Sequence, residues 1–249
     1  MLLGQIAIKR RTGEVIEAFS VSSDEWNEIR REVIGTYLMP QSEWPAVPKV
    51  SIRGLRYFAH HPGFEGAKPE PESYAHTRLK IDVAKAARRL GYQADLEEAG
   101  TCPKGSQWRA DVMVTDHNNA KIAFEVQLSS QTLNEYRLRT ERYVASNIRC
   151  CWIFPKRKGS TKLTSLEQAI RHENKQFNDE STLIQIADEH LQALSFFMDS
   201  KDTYPEELPM LHLHGAIGQN SNKEFDVAIL NIIKKKTRWE RPYWYWSEI

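Results

Sequence analysis

Two acidic residues interrupt short apolar segments of this sequence. Asp111 lies within RADVMVT and Glu125 lies within KIAFEVQL, and both segments otherwise alternate as half-buried strands do. Two carboxylates that lie close together repel each other unless a cation or a proton lies between them. Oxygen ligands of this kind suit Mg²⁺, whose other coordination positions are filled by water and substrate phosphates. The chemistry that these two residues could support is therefore that of a magnesium site.

The register of the hairpin formed by the two segments decides whether the acids meet. A two-residue turn at Asn118-Asn119 would place Asp111 opposite Val126 and would mix polar and apolar side chains on both faces. A loop of odd length centred on Asn118 collects the apolar side chains on one face, in the pairs Ala110 with Val126, Val112 with Phe124, and Val114 with Ile122. Because a slip of one residue would expose that whole face, we expect the odd loop.

The odd loop sets Asp111 directly opposite Glu125, with the Cβ atoms roughly 5 Å apart. A helix is available to cover that side of the sheet, and Met113 and Ala123 flank the acids. The alternative is a solvated polar face, on which acids are unremarkable, since antiparallel sheets often have one wet face. Spacing alone leaves both interpretations open.

Regular elements surround this hairpin. Ser73 can cap a helix that runs to about Leu90 and has an apolar stripe at helical spacing, and a strand follows at 92–97. A loop through Gly100 and Gly105 leads to the two hairpin strands. The capping box Thr132-Leu-Asn-Glu135 starts a helix to about Ala145, and RCCWIFP reads as a buried strand. The predicted order is helix, strand, strand, strand, helix, strand.

The flanking regions differ from this core in pattern. Residues 1–71 predict a hairpin near Gly13, a helix from about Asp24 to Ile34 capped by Ser22 or Ser23, and a strand at 49–58. After Gly159 the pattern is mainly helical, with candidates at 165–177, 188–198 and 223–236. We therefore divide the chain into 1–71, 72–158 and 159–249.

Composition is that of a globular chain without a membrane segment. The residues are 41% hydrophobic and 27% charged, and the net charge of +1 gives no global electrostatic case for nucleic acid. No apolar run approaches the roughly 18 residues of a membrane span, and the N-terminal stretch does not read as a signal peptide. Three cysteines form no CxxC pair, so we expect free thiols in a reducing cytoplasm.

Several segments, in this order, resemble the PD-(D/E)xK nuclease core and, more narrowly, the nuclease-like domain of the competence protein CoiA family. The resemblance spans about residues 55 to 155 and rests on YFAHHPG (57–63), ESYAHTRLK (72–80), RADV (109–112), FEVQLSSQT (124–132), RTERY (139–143) and WIF (152–154). It implies an α/β fold with a restriction-endonuclease-like mixed sheet and helices on both sides. A small N-terminal β-rich region and a mainly helical C-terminal region would be added to that core.

The resemblance also implies hydrolysis of DNA phosphodiester bonds with Mg²⁺ or Mn²⁺ as the cofactor. Asp111, Glu125 and the backbone carbonyl of Val126 would bind the ion, and Glu72 or Glu97 would supply a further ligand. CoiA proteins commonly carry a cysteine-based zinc module near the N-terminus. Residues 35–60 here contain no cysteine, so we carry no zinc site over.

Catalytic and DNA-binding roles are implied for a second set of residues. The superfamily usually has a lysine where this chain has Gln127, which can orient water through its amide but brings no charge. His76 and Lys80 are four residues apart on one helix face, so both can point at a phosphate. Arg139, Tyr143 and Arg109 are assigned to nucleic-acid contact. For His76, Arg139 and Tyr143 the alternative is a role in packing.

Three functions stay open from the sequence. The first is a metal-dependent nuclease acting on foreign or recombining DNA, and the second is a DNA-binding or adaptor protein that keeps the fold without cutting. The third is an effector of defence against phage, whose C-terminal region contacts a protein partner. DNA is the expected partner and a membrane is not, and a homo-oligomer is compatible with the sequence. The aromatic tail WERPYWYW either stacks on unpaired bases or packs on protein.

Overall fold

Two units divide the chain, residues 1–73 and residues 74–249. The computed structural model describes residues 4–66, 72–129, 131–156, 192–198, 207–213, 222–240 and 243–247. The predicted helix at 165–177 lies outside the described residues. Among the described residues, no helix is both long and apolar enough to cross a membrane.

The described residues of the first unit form two small antiparallel sheets and one helix. Strands β1 (Ile6–Lys9), β2 (Val15–Glu17) and β3 (Tyr37–Leu38) form one sheet, and β4 (Ala46–Val50) pairs with β5 (Arg56–His60) in the other. Helix α1 (Ser23–Arg31) begins with a capping box at Ser22, as expected, but ends three residues before Ile34. The single strand expected at 49–58 is wrong, because the chain reverses at Gly54, where φ is +80°.

The second unit is built on a mixed seven-stranded sheet. Its strands are β6 (Gln93–Leu96), β9 (Val112–Thr115), β10 (Lys121–Val126), β11 (Ile148–Lys156), β12 (Gln192–Phe197), β13 (Leu211–Leu213) and β14 (Asn222–Lys223), in the order β14-β13-β12-β11-β10-β9-β6. The pairs β10–β11 and β11–β12 are parallel, and the other pairs are antiparallel. Two separate hairpins complete the strands: β7 (Ala99–Thr101) with β8 (Gln107–Arg109), and β15 (Thr237–Glu240) with β16 (Tyr243–Trp246).

In the described part of this unit, three helices cover both faces of the sheet: α2 (Tyr74–Arg89), α3 (Leu133–Ala145) and α4 (Phe225–Ile233). Helix α2 packs on β6, β9 and α4. The Arg149 guanidinium donates to the carbonyls of Ile232, at 2.9 Å, and Ile233, at the C-terminal end of α4. The Trp152 indole donates to Thr140 of α3 at 2.9 Å. Since positions 149 and 152 lie on opposite faces of β11, helices lie on both sides of the sheet, as expected.

The register of the β9–β10 hairpin agrees with the odd loop. Val112 pairs with Phe124 and Val114 pairs with Ile122, both as predicted. The Asp116 carboxylate accepts from the N–H groups of Asn118 and Ala120, both at 2.8 Å, and so closes a loop centred on Asn118. The ladder ends at the pair of Val112 with Phe124, however, so the expected pair of Ala110 with Val126 is not part of it.

Two further expectations of secondary structure, both in the second unit, are wrong. The loop through Gly100 and Gly105 contains the β7–β8 hairpin, so Arg109 pairs with Ala99 and lies outside the β9 strand. The C-terminal region is not mainly helical in its described parts, because residues 192–197, expected in a helix, form β12, and β13 to β16 follow. The segment QALSFF is mostly apolar and lies between two neighbouring strands, and a short segment of this kind does not distinguish a buried strand from a buried helix.

Asn119 is the position at which the loop can be tested, because its φ is +60°. We expect Asn119→Val to lower the free energy of unfolding by about 1–2 kcal/mol, since a β-branched residue resists the left-handed region. Asn119→Gly, the matched control, adopts that φ freely and should stay within about 0.5 kcal/mol of the wild type. Urea denaturation measures both. Equal midpoints for the valine variant and the wild type would contradict the described turn.

Candidate metal and active site

Asp111 lies one residue before β9, where the antiparallel ladder ends. Its Oδ2 accepts a hydrogen bond from the N–H of Val126 at 2.8 Å. The carboxylate therefore accepts the hydrogen bond that a carbonyl of the neighbouring strand would otherwise accept. Because the acceptor is charged, this bond is stronger. Asp111 is thus held at the end of β10 by the main chain of its neighbouring strand, with 16% of its side chain exposed.

Helix α2 brings His76 and Lys80 to the same carboxylate. The Nε2 atom of His76 lies 2.9 Å from the Val126 carbonyl oxygen and 3.6 Å from Asp111 Oδ2, and the Nζ atom of Lys80 lies 3.8 Å from Asp111 Oδ1. The spacing of four residues places both side chains on one helix face, as predicted. Burial opposes ionisation of Asp111, but the charges of His76 and Lys80 outweigh it and hold the pKa of that carboxyl well below its usual range.

Glu97 positions Lys80 and Arg109. Lys80, only 1% exposed, forms an ion pair with one Glu97 oxygen, and the other oxygen lies 3.3 Å from Arg109 Nε. The Glu97 N–H donates to the Asp111 carbonyl at 3.2 Å. Glu97 has a φ of +58°, a costly conformation for a residue with a side chain, and such residues concentrate at functional sites. As arranged, Glu97 orients cations beside Asp111.

Glu125 is fully buried beneath α3, and both of its carboxylate oxygens are engaged. The Tyr143 hydroxyl donates to Oε1, and the Arg139 guanidinium donates to Oε2. Arg139 also lies over the ring of Trp152, with the guanidinium carbon 4.7 Å from the ring centroid. Burial, together with the charge of Asp111, raises the pKa of Glu125 to about 8 against the opposing effect of Arg139.

The polar atoms of Gln127 contact Ser129 and Arg139. Its amide nitrogen donates to the carbonyl and the hydroxyl of Ser129, at 3.1 and 2.7 Å, and its amide oxygen lies 3.5 Å from Arg139 Nη1. His76 and Lys80 of α2 form the ion pairs with Asp111, and the side chain at the motif position contacts Arg139.

A set of ligands for a cation forms around Asp111. One possible ligand atom each from Glu72, His76 and Asp111 lies within 4.8 Å of the others, and all three residues are half-buried. Glu72 precedes α2 by two residues, so the chain itself holds it near His76. Two carboxylates and an imidazole suit a divalent cation chemically. Glu125, which we expected to share one ion with Asp111, is not part of this set.

The structure thus brings most of the expected residues together, in two connected clusters. One contains Asp111 with its neighbours from α2, and the other contains Glu125 with Arg139 and Tyr143. The peptide groups of Val126 join the two clusters. The Val126 N–H donates to Asp111, and the Val126 carbonyl, which we expected as a metal ligand, accepts a hydrogen bond from His76. Sequence reasoning missed Trp152, although its place in a buried strand next to a helix with an arginine was a usable signal.

Titration of the buried Glu125 gives a test in metal-free buffer. Because its pKa is raised to about 8, the folded protein keeps a proton that the unfolded chain releases near pH 4.5. Stability therefore falls as pH rises between these values, by up to about 1.4 kcal/mol per pH unit. We expect Glu125→Gln to lose this pH dependence, so that its free energy of unfolding rises relative to that of the wild type from about pH 5 to 8. Urea denaturation with EDTA measures both curves.

The exposed Glu141→Gln on the same helix is the control and should track the wild type at every pH. If the Glu125→Gln and wild-type curves run parallel from pH 5 to 8, the carboxyl of Glu125 does not hold an extra proton in the folded state.

Comparison with known proteins identifies the family. The model of the competence protein CoiA, nuclease-like domain, matches residues 72–205. No curated protein matches the chain. Among solved structures, SfsA of Pyrococcus furiosus in complex with Ca²⁺ is similar at 12% identity and a TM-score of 0.30, over 88% of this chain and 95% of that one, a likeness too low to carry an inference. Since the family model covers more than half of its length, the chain belongs to the family of the CoiA nuclease-like domain.

Proposed function

We propose that this protein is a nuclease that hydrolyses DNA phosphodiester bonds with a divalent cation, Mg²⁺ or Mn²⁺, in a core of the PD-(D/E)xK type. The observation that carries the proposal is the Asp111 carboxylate, kept ionised by His76 and Lys80 at the end of a buried strand. Membership of a nuclease-like family supports it. Foreign or recombining DNA is the proposed substrate, in competence, recombination or phage defence.

Asp111, Glu72 and His76 are the residues that would hold the ion, and Glu97 already pairs with two cations. When bound, such an ion lowers the pKa of water and neutralises charge on the scissile phosphate. The hydrogen bond from the Val126 N–H fixes the Asp111 carboxylate, and with it the place where the ion would bind. His76 bonds the Val126 carbonyl and so orients both the peptide and its own imidazole.

Lys80 supplies the positive charge that a motif lysine would bring. Its ammonium group is buried, pairs with Glu97 and lies 3.8 Å from Asp111, so it is fixed before substrate arrives. Preorganised charge of this kind stabilises the charge that develops in a phosphoryl-transfer transition state. Gln127 supports the arrangement only indirectly, through Arg139.

Of the three residues that the sequence indicates for DNA contact, we propose this role for Arg109 alone. Arg139 and Tyr143 bond Glu125, so their role is to position that carboxylate. Arg109 has 41% of its side chain exposed beside Glu97 and can reach a phosphate from there.

The second candidate is a DNA-binding or adaptor protein that keeps the fold without cutting. One observation favours it: both oxygens of Glu125 are engaged by Arg139 and Tyr143, which leaves a metal to compete with two existing bonds. Gln127, which stands where the superfamily usually has a charged lysine, also favours the adaptor function.

Cutting of single-stranded, double-stranded and branched DNA distinguishes the two functions. We expect cleavage with Mg²⁺ or Mn²⁺, none with EDTA, and a loss of roughly 100-fold or more in Asp111→Asn, because the cation then loses a charged ligand. The control Glu141→Gln should keep its activity. Cleavage that persists in EDTA, or in Asp111→Asn, would refute the metal mechanism. DNA binding without cleavage on any substrate would establish the adaptor function instead.

The roles of Lys80 and Gln127 can be separated by substitution. We expect Lys80→Met, which keeps the buried aliphatic stem, to lower kcat by about 100-fold, since it removes preorganised charge. Gln127→Ala should cause a clearly smaller loss. Single-turnover cleavage with each variant gives the comparison. A larger loss in Gln127→Ala than in Lys80→Met would assign the catalytic role to the motif position.

A further inference from the structure

A cavity of about 580 Å³ lies at the opposite end of β10 from Asp111. The β7–β8 hairpin, the turn between β9 and β10 and the turn between α3 and β11 form its walls. Its volume falls within the range of small-molecule sites. The candidate active site does not include it, because β10 begins at Lys121 in the cavity wall and ends at Val126 beside Asp111.

Trp108 provides a fixed aromatic wall. Its indole N–H donates to the Ser146 hydroxyl at 3.0 Å, and its ring centroid lies 5.6 Å from that of Tyr143. A Cβ atom at Gly100 would come within 2.3 Å of the ring, so glycine at this position makes room for it. The tryptophan is thus held by several contacts and yet lines an open cavity.

Two asparagines line the same cavity, Asn119 and Asn147. Both have positive φ values, +60° and +57°, which glycine would accommodate with less strain. Each side-chain amide offers a donor and an acceptor, which is the pattern that the edges of nucleobases require. The charged residues of the wall, Glu98 and Lys121, neutralise each other through an ion pair of 2.6 Å. This combination suits a flat, neutral, polar ring.

We propose that this cavity binds a nucleobase, which stacks on Trp108 and is hydrogen-bonded by Asn119 and Asn147. Bases recognised outside a duplex are bound by stacking on aromatic side chains and by bonds to their edges. The base can belong to a free nucleotide or to an unpaired position of a strand. The inference goes beyond the proposed cleavage and does not require it. Tyr143, which contacts Trp108 on one side and Glu125 on the other, connects the cavity to the candidate active site.

Calorimetric titration of the full chain in EDTA tests the proposal, with dAMP and dTMP in one arm and short oligonucleotides in the other. We expect binding in at least one arm, about tenfold weaker for Trp108→Ala, since stacking on the indole is lost. The double substitution Asn119→Gly and Asn147→Gly keeps both backbone conformations and removes both amides, so it should also weaken binding. It remains informative if Trp108→Ala fails to fold, and thermal melting checks the fold of each variant.

Binding in the mononucleotide arm identifies a free nucleotide as the ligand, and oligonucleotide binding that the asparagine double variant weakens identifies a strand. Because the titration is done in EDTA, where no cleavage is expected, failure of cleavage and failure of this cavity are distinguishable. Absence of binding in both arms, or equal affinity of the wild type and the asparagine double variant, would overturn the proposal.

Discussion

The peptide group of Val126 is the constraint on which the candidate site depends. The antiparallel ladder between β9 and β10 stops at Val112, and from there the Asp111 carboxylate accepts the next N–H while His76 takes the carbonyl. A buried peptide group left without partners is costly, so the strand end itself holds an acid and an imidazole in place. The geometry for chemistry therefore arises where regular strand pairing ends.

Burial of Glu125 is the second constraint, and it determines how α3 packs. A carboxyl group without exposure is tolerated only with full hydrogen bonding, which Arg139 and Tyr143 provide. Trp152 supports Arg139 from below and bonds Thr140 of the same helix. The helix, the strand and the buried acid are thus mutually dependent, and any ligand of Glu125 has to replace bonds that also stabilise the fold.

The sequence predicted the parts of this arrangement that alternation and capping control. The odd loop around Asn118, helices α2 and α3, and the shared helix face of His76 and Lys80 follow from side-chain periodicity. That this face meets Asp111 was implied by the family resemblance. The end of the ladder before Asp111 did not, because it depends on a side chain competing with a main-chain carbonyl. Residues 192–197 belong to a segment, 188–198, that the sequence predicts as a helix. QALSFF shows no clear alternation that would indicate a strand, and its neighbours in the sheet make it one. The partners of Glu125 depend on how far α3 lies above the sheet, which no local pattern encodes.

Crystals soaked in Mn²⁺ and examined by anomalous scattering would test the central claim most directly, which is that Asp111 and its neighbours hold a divalent cation. We predict one anomalous peak within coordination distance of the Asp111 carboxylate, about 2.0–2.6 Å away, and its loss in Asp111→Asn crystals. A fully soaked crystal without a peak there, or a peak that survives the substitution, would contradict the account.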